Sequence, residues 1–186
     1  MRNKKIVLGA VAILTVVLMT QKKAIADAMT ENSDEFTRWD ARLKQAASKY
    51  SIADWRWLKA IMWIESSLGR AKSVKHGLLN PTDIEGSASY DKKSWGLMQV
   101  TKTTANDMRP GTTEADLNNP EISIDLGARY FSMMLKRYNE NSFSILPARA
   151  VRAYNQGPGN EDKRKSYAND YLKKFEGFFQ KIREKQ

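Results

Sequence analysis

Glu65 stands where helical periodicity asks for an apolar side chain. Leu58, Ile61 and Met62 precede it by seven, four and three positions, and side chains at those separations share one helix face. A carboxyl group carried into apolar surroundings resists ionisation, and the partial negative charge at a helix C-terminus acts in the same direction. A glutamate tuned up to roughly 6–7 is suited to giving and taking a proton near neutral pH. The alternative is a frayed helix end with Glu65 turned to water. Periodicity alone leaves both readings open.

The composition narrows the chemistry further. Cysteine is absent and His76 is the one histidine, so there is no disulfide framework, no thiolate nucleophile and no histidine-based triad. Neither a His/Cys ligand set nor an EF-hand spacing is present, and no metal or other cofactor is expected. Catalysis must therefore run on carboxylates, hydroxyls, amides or amines.

Three short motifs surround this acid in sequence order: Ile64-Glu65-Ser66-Ser67, Gly96-Leu97-Met98-Gln99-Val100 and Ala153-Tyr154-Asn155-Gln156-Gly157. A fourth stretch, Asn119-Pro120-Glu121 through Gly127-Ala128-Arg129-Tyr130-Phe131, lies between the second and third. In order and spacing the set resembles the soluble lytic transglycosylase family, over about residues 50–160. The resemblance implies a lysozyme-like fold and a groove for peptidoglycan glycan strands. It also implies cleavage of the β-1,4 bond between N-acetylmuramic acid and N-acetylglucosamine. Carried over residue by residue, it makes Glu65 the catalytic acid and base. Gln99, Tyr154 and Asn155 become groove residues, with Ser66, Gly96 and Met98 as neighbouring substrate-site positions.

The residue chemistry agrees with those roles. Gln99 and Asn155 each offer amide donors and an acceptor to sugar hydroxyl and N-acetyl groups. Tyr154 can donate its hydroxyl to Glu65 or pack against a sugar face. Gly96 and Gly157 let backbone approach a ligand closely. The plainer alternatives are core packing for Leu97 and Met98, helix packing for Ala153-Tyr154, and a helix stop at Gly157-Pro158-Gly159.

The interval from Glu65 to Gly96 is 31 positions, longer than is usual in the family, and holds His76, Asp83, Glu85 and Asp91. If one of those acids faces Glu65, water can be activated and the bond hydrolysed, as in a muramidase. If none does, attack by the muramic C6 hydroxyl gives a 1,6-anhydro product. A catalytically silent wall-binding component is a third reading, and the intact Glu65 argues against it.

The elements needed to position these groups are mainly helical. Asn32 with Glu35 resembles a capping box, followed by Phe36, Trp39, Leu43 and Ala46 at helical spacing. Ser51 with Asp54 resembles a second box, opening a helix that runs through Trp55 and Glu65 to a stop at Gly69. Residues 70–95 read as loop, with room for a short β-hairpin between about 70 and 100. Asn119-Pro120-Glu121 is a strong helix start, Ile145–Asn155 a short helix, and Tyr167 to Ile182 a last one. The expectation is a mainly α, lysozyme-like α+β fold in one domain over 27–186.

The first 26 residues read as a targeting segment. Arg2, Lys4 and Lys5 precede an unbroken apolar or neutral run of 14 residues, Ile6–Met19, and Ala24-Ile25-Ala26 forms a small-x-small cleavage site. The run is shorter than the roughly 20 residues that span a bilayer. Lys22 and Lys23 between core and site keep an uncleaved signal-anchor open. The expected location is the periplasm, cell surface or medium, with contact to the inner membrane only if the segment stays uncleaved. The formal net charge is +10; the leader holds five basic residues and no acid, leaving +5 for the rest. That balance favours polyanions in general. A nucleic-acid partner is not expected, because charge is the sole feature in its favour. A secretion, conjugation or phage apparatus is compatible as partner.

Overall fold

The computed structural model describes residues 36–69, 93–160 and 165–185. Two compact units are distinguished, Met1–Arg38 and Trp39–Gln186, and every element below belongs to the second. The expected capping box at Asn32 and Glu35, the targeting segment 1–26 and the acids of 70–92 lie outside the described residues.

Among the described residues there are seven helices and one two-stranded sheet. They run α1 (Asp40–Lys49), α2 (Trp55–Ser66), β1 (Ser94–Trp95), β2 (Val100–Thr101), α3 (Lys102–Met108), α4 (Glu114–Asn118), α5 (Pro120–Tyr138), α6 (Ala148–Gln156) and α7 (Lys165–Glu184). The mainly helical expectation holds, and the hairpin falls at the end of the interval proposed for it. Its strands are antiparallel, with Ser94 opposite Thr101 and Trp95 opposite Val100.

The central helix is α2. Leu58, Ala60, Ile61 and Met62 are completely buried and Trp57 nearly so, so the helix is covered on more than one side. Its widest contacts are with α7, where Tyr171 meets Glu65 and Phe178 stacks on Trp63, and it also packs on α1. Truncating Leu58 to alanine would cost roughly 2–5 kcal/mol. Lys59 is also buried, and its Nζ lies 2.6 Å from Asp40 Oδ1, which supplies the opposite charge that a buried ammonium requires.

Several boundaries differ from expectation for local reasons. The first helix begins at Asp40, and the residues just before it form a turn. Asp54 alone caps α2, accepting from the Arg56 backbone N–H at 2.9 Å. Ser51, expected as the cap, instead takes a left-handed conformation with φ of 55° in the turn after α1. Helix α2 stops at Ser66, before Gly69, because Ser67 (φ 52°) and Leu68 (φ 59°) are already left-handed. Helix α6 starts at Ala148 rather than Ile145, since the residue before Pro147 is disfavoured in helix. Its free N-terminus is met by the Glu140 carboxylate, which accepts from the Ala150 N–H at 2.8 Å.

The start of α5 is as expected. Asn119 Oδ1 accepts from Glu121 N at 2.9 Å, with Pro120 in the first turn. Helices α3 and α4 were not expected. Thr101 caps the first, and Thr113 with Asp116 forms a reciprocal capping box on the second.

Candidate active site

A cleft of about 280 Å³ opens between the end of α2, the hairpin, α5 and α6. It is lined by Glu65, Ser94, Gln99, Val100, Thr101, Thr104, Tyr130, Tyr154, Asn155, Gln156 and Gly157. Among the described residues of this lining, Glu65 is the sole carboxylate. A second opening of about 310 Å³ lies between α1 and α5. Both of its acids are engaged in ion pairs, Asp125 with Lys49 at 2.5 Å and Glu121 with Arg42.

Glu65 sits in the last turn of α2, and the chain immediately beyond it is firmly held. Leu68 is left-handed yet buried, and its carbonyl accepts from Trp39 Nε1 at 3.0 Å. Ser66 Oγ donates to the Met62 carbonyl at 3.2 Å and accepts from Gly69 N at 3.0 Å. The non-glycine residues at positive φ cost energy that persists only because these contacts hold them. They fix the position from which the carboxylate enters the cleft.

The Glu65 side chain keeps partial solvent access through the cleft while protein surrounds it on its other sides. Burial raises its pKa from the ordinary 4.5 to about 7. Two weaker influences oppose that rise: a hydrogen bond from Tyr171 and the positive charge of Lys174. Tyr171 Oη donates to Glu65 Oε1 at 2.6 Å. Burial pushes the Tyr171 hydroxyl well above its usual value, helped by the negative charge and the hydrogen bond of Glu65. It therefore stays a donor throughout the range in which Glu65 titrates.

The opposite wall is the tight turn Gly96–Gln99 between β1 and β2. Gly96 has φ of +75°, and a Cβ there would lie 1.9 Å from the Leu117 carbonyl oxygen, so only glycine lets the turn sit against α4. Gln99 is itself left-handed, with φ of 47°, and its Nε2 donates to the Gly96 carbonyl at 2.8 Å. Met98 is completely buried beneath the turn. Its N–H donates to Ser123 Oγ at 3.1 Å, and its carbonyl accepts from Tyr154 Oη at 2.8 Å. Tyr154 packs its ring against Tyr130, with centroids 5.3 Å apart, and against Phe131 at 6.1 Å.

The structure thus brings Glu65, Gln99, Tyr154 and Asn155 into one cleft. Ser66, Gly96 and Met98 lie outside its lining and shape it from behind, by ending α2 and seating the turn. Of the two uses expected of Tyr154, donation to Glu65 is not the one found: its hydroxyl holds the Met98 carbonyl, and Tyr171 takes the place beside the acid. Tyr171 was absent from the sequence-based candidates. The signal for it was slight, a tyrosine at a core position of α7 whose hydroxyl needs a buried partner. Thr101, Thr104 and Ser94 add hydroxyls, and Gln156 Nε2 donates to Asn155 Oδ1, tying the two amides together. No group of three or more His, Cys, Asp or Glu side chains gathers among the described residues. Nor is any described helix long and apolar enough to cross a membrane.

A partly accessible acid with a pKa near 7, facing a wall of amides and hydroxyls, can deliver a proton to a bound polyol ether and recover it afterwards. Comparison with known proteins points the same way. The family model described as "Transglycosylase SLT domain" matches residues 42–176. The chain is 34% identical to Membrane-bound lytic murein transglycosylase F of Cellvibrio japonicus over 137 residues, which are 70% of this chain and 23% of that protein. It is 33% identical to the protein of the same name from Hahella chejuensis over 135 residues, 70% of this chain and 22% of that one. The chain therefore spans less than a quarter of the length of either relative.

Proposed function

The chain belongs to the SLT transglycosylase domain family, and on that premise we propose that it is a peptidoglycan lytic transglycosylase whose proton-transfer residue is Glu65. The observation that carries this reading is the single carboxyl of the described cleft lining, with its pKa raised to about 7. At neutral pH a large fraction of Glu65 is protonated and ready to donate.

The steps follow from one acid. Glu65 donates its proton to the oxygen linking N-acetylmuramic acid C1 to N-acetylglucosamine C4. The C1–O bond breaks, the glucosamine leaves with a C4 hydroxyl, and positive charge develops at muramic C1. The Glu65 carboxylate then takes the proton of the muramic C6 hydroxyl as that oxygen bonds to C1. This closes the 1,6-anhydro ring, and Glu65 ends protonated as it began. Tyr171 stabilises the carboxylate form between the two transfers. Gln99, Asn155 and the hydroxyls of Thr101 and Thr104 supply donors and acceptors to the sugar rings.

Export to the wall fits this activity. Residues 1–26 are the segment that would provide it, either cleaved or retained as an inner-membrane anchor. Cell-wall remodelling and local opening of the wall for a secretion, conjugation or phage apparatus require the same chemistry.

The test is release of soluble glycan from purified peptidoglycan by the wild type and by Glu65→Gln. The amide keeps the shape and removes the transferable proton, so the variant is expected to lose nearly all activity while folding normally. Activity within a few-fold of wild type in Glu65→Gln would end this reading.

A further inference from the structure

We propose that Tyr167 is a substrate-binding residue, a platform on which the apolar C–H face of a glycan pyranose ring stacks beside Glu65. This rests on the reading of the cleft as a glycan site and adds to it a residue that none of the motifs includes.

The placement follows from how α7 lies on α2. Tyr171, near the start of α7, meets Glu65, near the end of α2. Phe179, towards the other end of α7, lies under the Arg56 guanidinium at 5.8 Å, and Arg56 is near the start of α2. The helices are therefore antiparallel, and the first turn of α7 reaches past the last turn of α2. Tyr167 precedes Tyr171 by four residues, so the two share a face about 6 Å apart along the axis. Tyr171 is buried against the acid, whereas Tyr167, one turn further out, is 69% exposed. The next residue, Ala168, is completely buried, which anchors that turn and fixes where the tyrosine leaves the helix.

Sugar chemistry supplies the reason for an aromatic here. The described cleft wall consists largely of amides and hydroxyls, which serve the equatorial polar groups of a pyranose. A pyranose also has a face of C–H groups, and those need an apolar surface. The tyrosine rings within the cleft are committed elsewhere: Tyr130 and Tyr154 pack on one another, and Tyr154 also packs on Phe131. Tyr167 offers a ring within one helical turn of the Glu65–Tyr171 pair, with its apolar face open to solvent.

The experiment measures KM and kcat on soluble glycan strands, prepared from purified peptidoglycan by removing the stem peptides. Wild type, Tyr167→Ala, Tyr167→Gln and Tyr167→Phe are compared. Loss of one stacking platform is expected to raise KM roughly five- to tenfold in the alanine and glutamine variants, with kcat within about twofold. Tyr167→Phe keeps the ring and should restore the wild-type KM. The pH profile should be unchanged in all three, because Tyr167 does not touch Glu65. The proposal is overturned if KM stays within about twofold in either ring-less variant. It is equally overturned if Tyr167→Phe is as impaired as Tyr167→Ala, or if kcat falls with KM unchanged. Glu65→Gln, assayed in parallel, separates the two claims: an inactive Glu65→Gln with an unshifted Tyr167→Ala removes this inference alone.

Discussion

The hydroxyl of Tyr171 donates to Oε1 of Glu65 at 2.6 Å, joining residues 106 positions apart in the chain. This bond ties the last helix of the fold to the acid at the end of α2. It also draws the Glu65 pKa down while burial drives it up, and burial dominates. Both contributions can be measured separately.

Removing the bond without removing the ring should move the activity profile in a stated direction. In Tyr171→Phe the carboxylate loses a stabilising donor, so the Glu65 pKa rises further. Activity that needs protonated Glu65 should then persist to higher pH, with the alkaline limb displaced upward by roughly half a unit to one unit. Turnover at the optimum should fall, because the carboxylate intermediate is less well stabilised. A limb that stays put, or moves to lower pH, would show that Tyr171 does not act on the Glu65 ionisation.

The same raised pKa makes Glu65 a cost to stability. Its value of about 7 in the folded protein exceeds the ordinary 4.5, so between those limits the native state holds a proton that the unfolded chain releases. Stability therefore declines as pH rises from about 4.5 and the loss is complete above about 7. Glu65→Gln has no such dependence. Relative to wild type it should gain stability on rising from about pH 4 to about pH 8.5, by up to on the order of 3 kcal/mol. Denaturant titrations of both proteins across that range check this. A difference that is constant with pH would contradict the burial assigned to the carboxyl.

What the sequence disclosed depended on how local each signal was. Glu65 was visible because Leu58, Ile61 and Met62 define a face and the acid interrupts it. The start of α5 was visible because Asn119 and Pro120 carry their capping chemistry themselves. Tyr171 was not, since its partner is an acid on a distant helix and its own neighbours read as ordinary amphipathic helix. Helices α3 and α4 escaped notice because each is short and rests on caps rather than on an apolar stripe. Ser51 and Asp54 fit a capping-box pattern, but Ser51 is held in the turn that leaves α1. Gly69 drew attention as a stop, although tertiary contacts at Leu68 end the helix earlier.

Gly96 should be intolerant of even one added methyl group. A Cβ there would lie 1.9 Å from the Leu117 carbonyl oxygen and 2.6 Å from Ser123 Oγ, with φ at +75°. Backbone rather than a flexible side chain is the obstacle, so the turn must move. Gly96→Ala is expected to cost about 3 kcal/mol or more and to displace Gln99, lowering activity together with Tm. Thermal unfolding within roughly 2 °C of wild type would show that the turn is not seated as described.

The reading of residues 1–26 as an export segment is a separate expectation that can be tested. A fusion of residues 1–30 to a reporter that works only outside the cytoplasm should be active, and N-terminal sequencing of the exported protein should begin at Asp27. An inactive reporter contradicts export. Active reporter on an unprocessed chain identifies an inner-membrane anchor instead, the outcome that Lys22 and Lys23 leave open.

The product of the reaction is the sharpest test of mechanism. Hydrolysis needs a second carboxylate to activate water, held about 5–5.5 Å from Glu65 in a retaining site or about 6.5–9.5 Å in an inverting one. Among the described residues lining the cleft, Glu65 has no such companion, since its other polar neighbours are amides and hydroxyls. Asp83, Glu85 and Asp91 belong to the stretch outside the described residues, whose sequence shows no periodicity that would aim a base at the cleft. The muramic C6 hydroxyl needs no second base. It arrives with the substrate, with the entropic advantage of intramolecular attack, and in the mechanism proposed above Glu65 takes its proton. Mass spectrometry of the soluble fragments should therefore find 1,6-anhydro-N-acetylmuramic acid ends, 18 mass units or so below their hydrated counterparts, as follows from a reaction in which no water is added. Reducing muramic ends in their place would assign the enzyme to hydrolysis. In that event Asp83→Asn, Glu85→Gln and Asp91→Asn should be assayed singly, and the one that abolishes turnover without lowering Tm is the base.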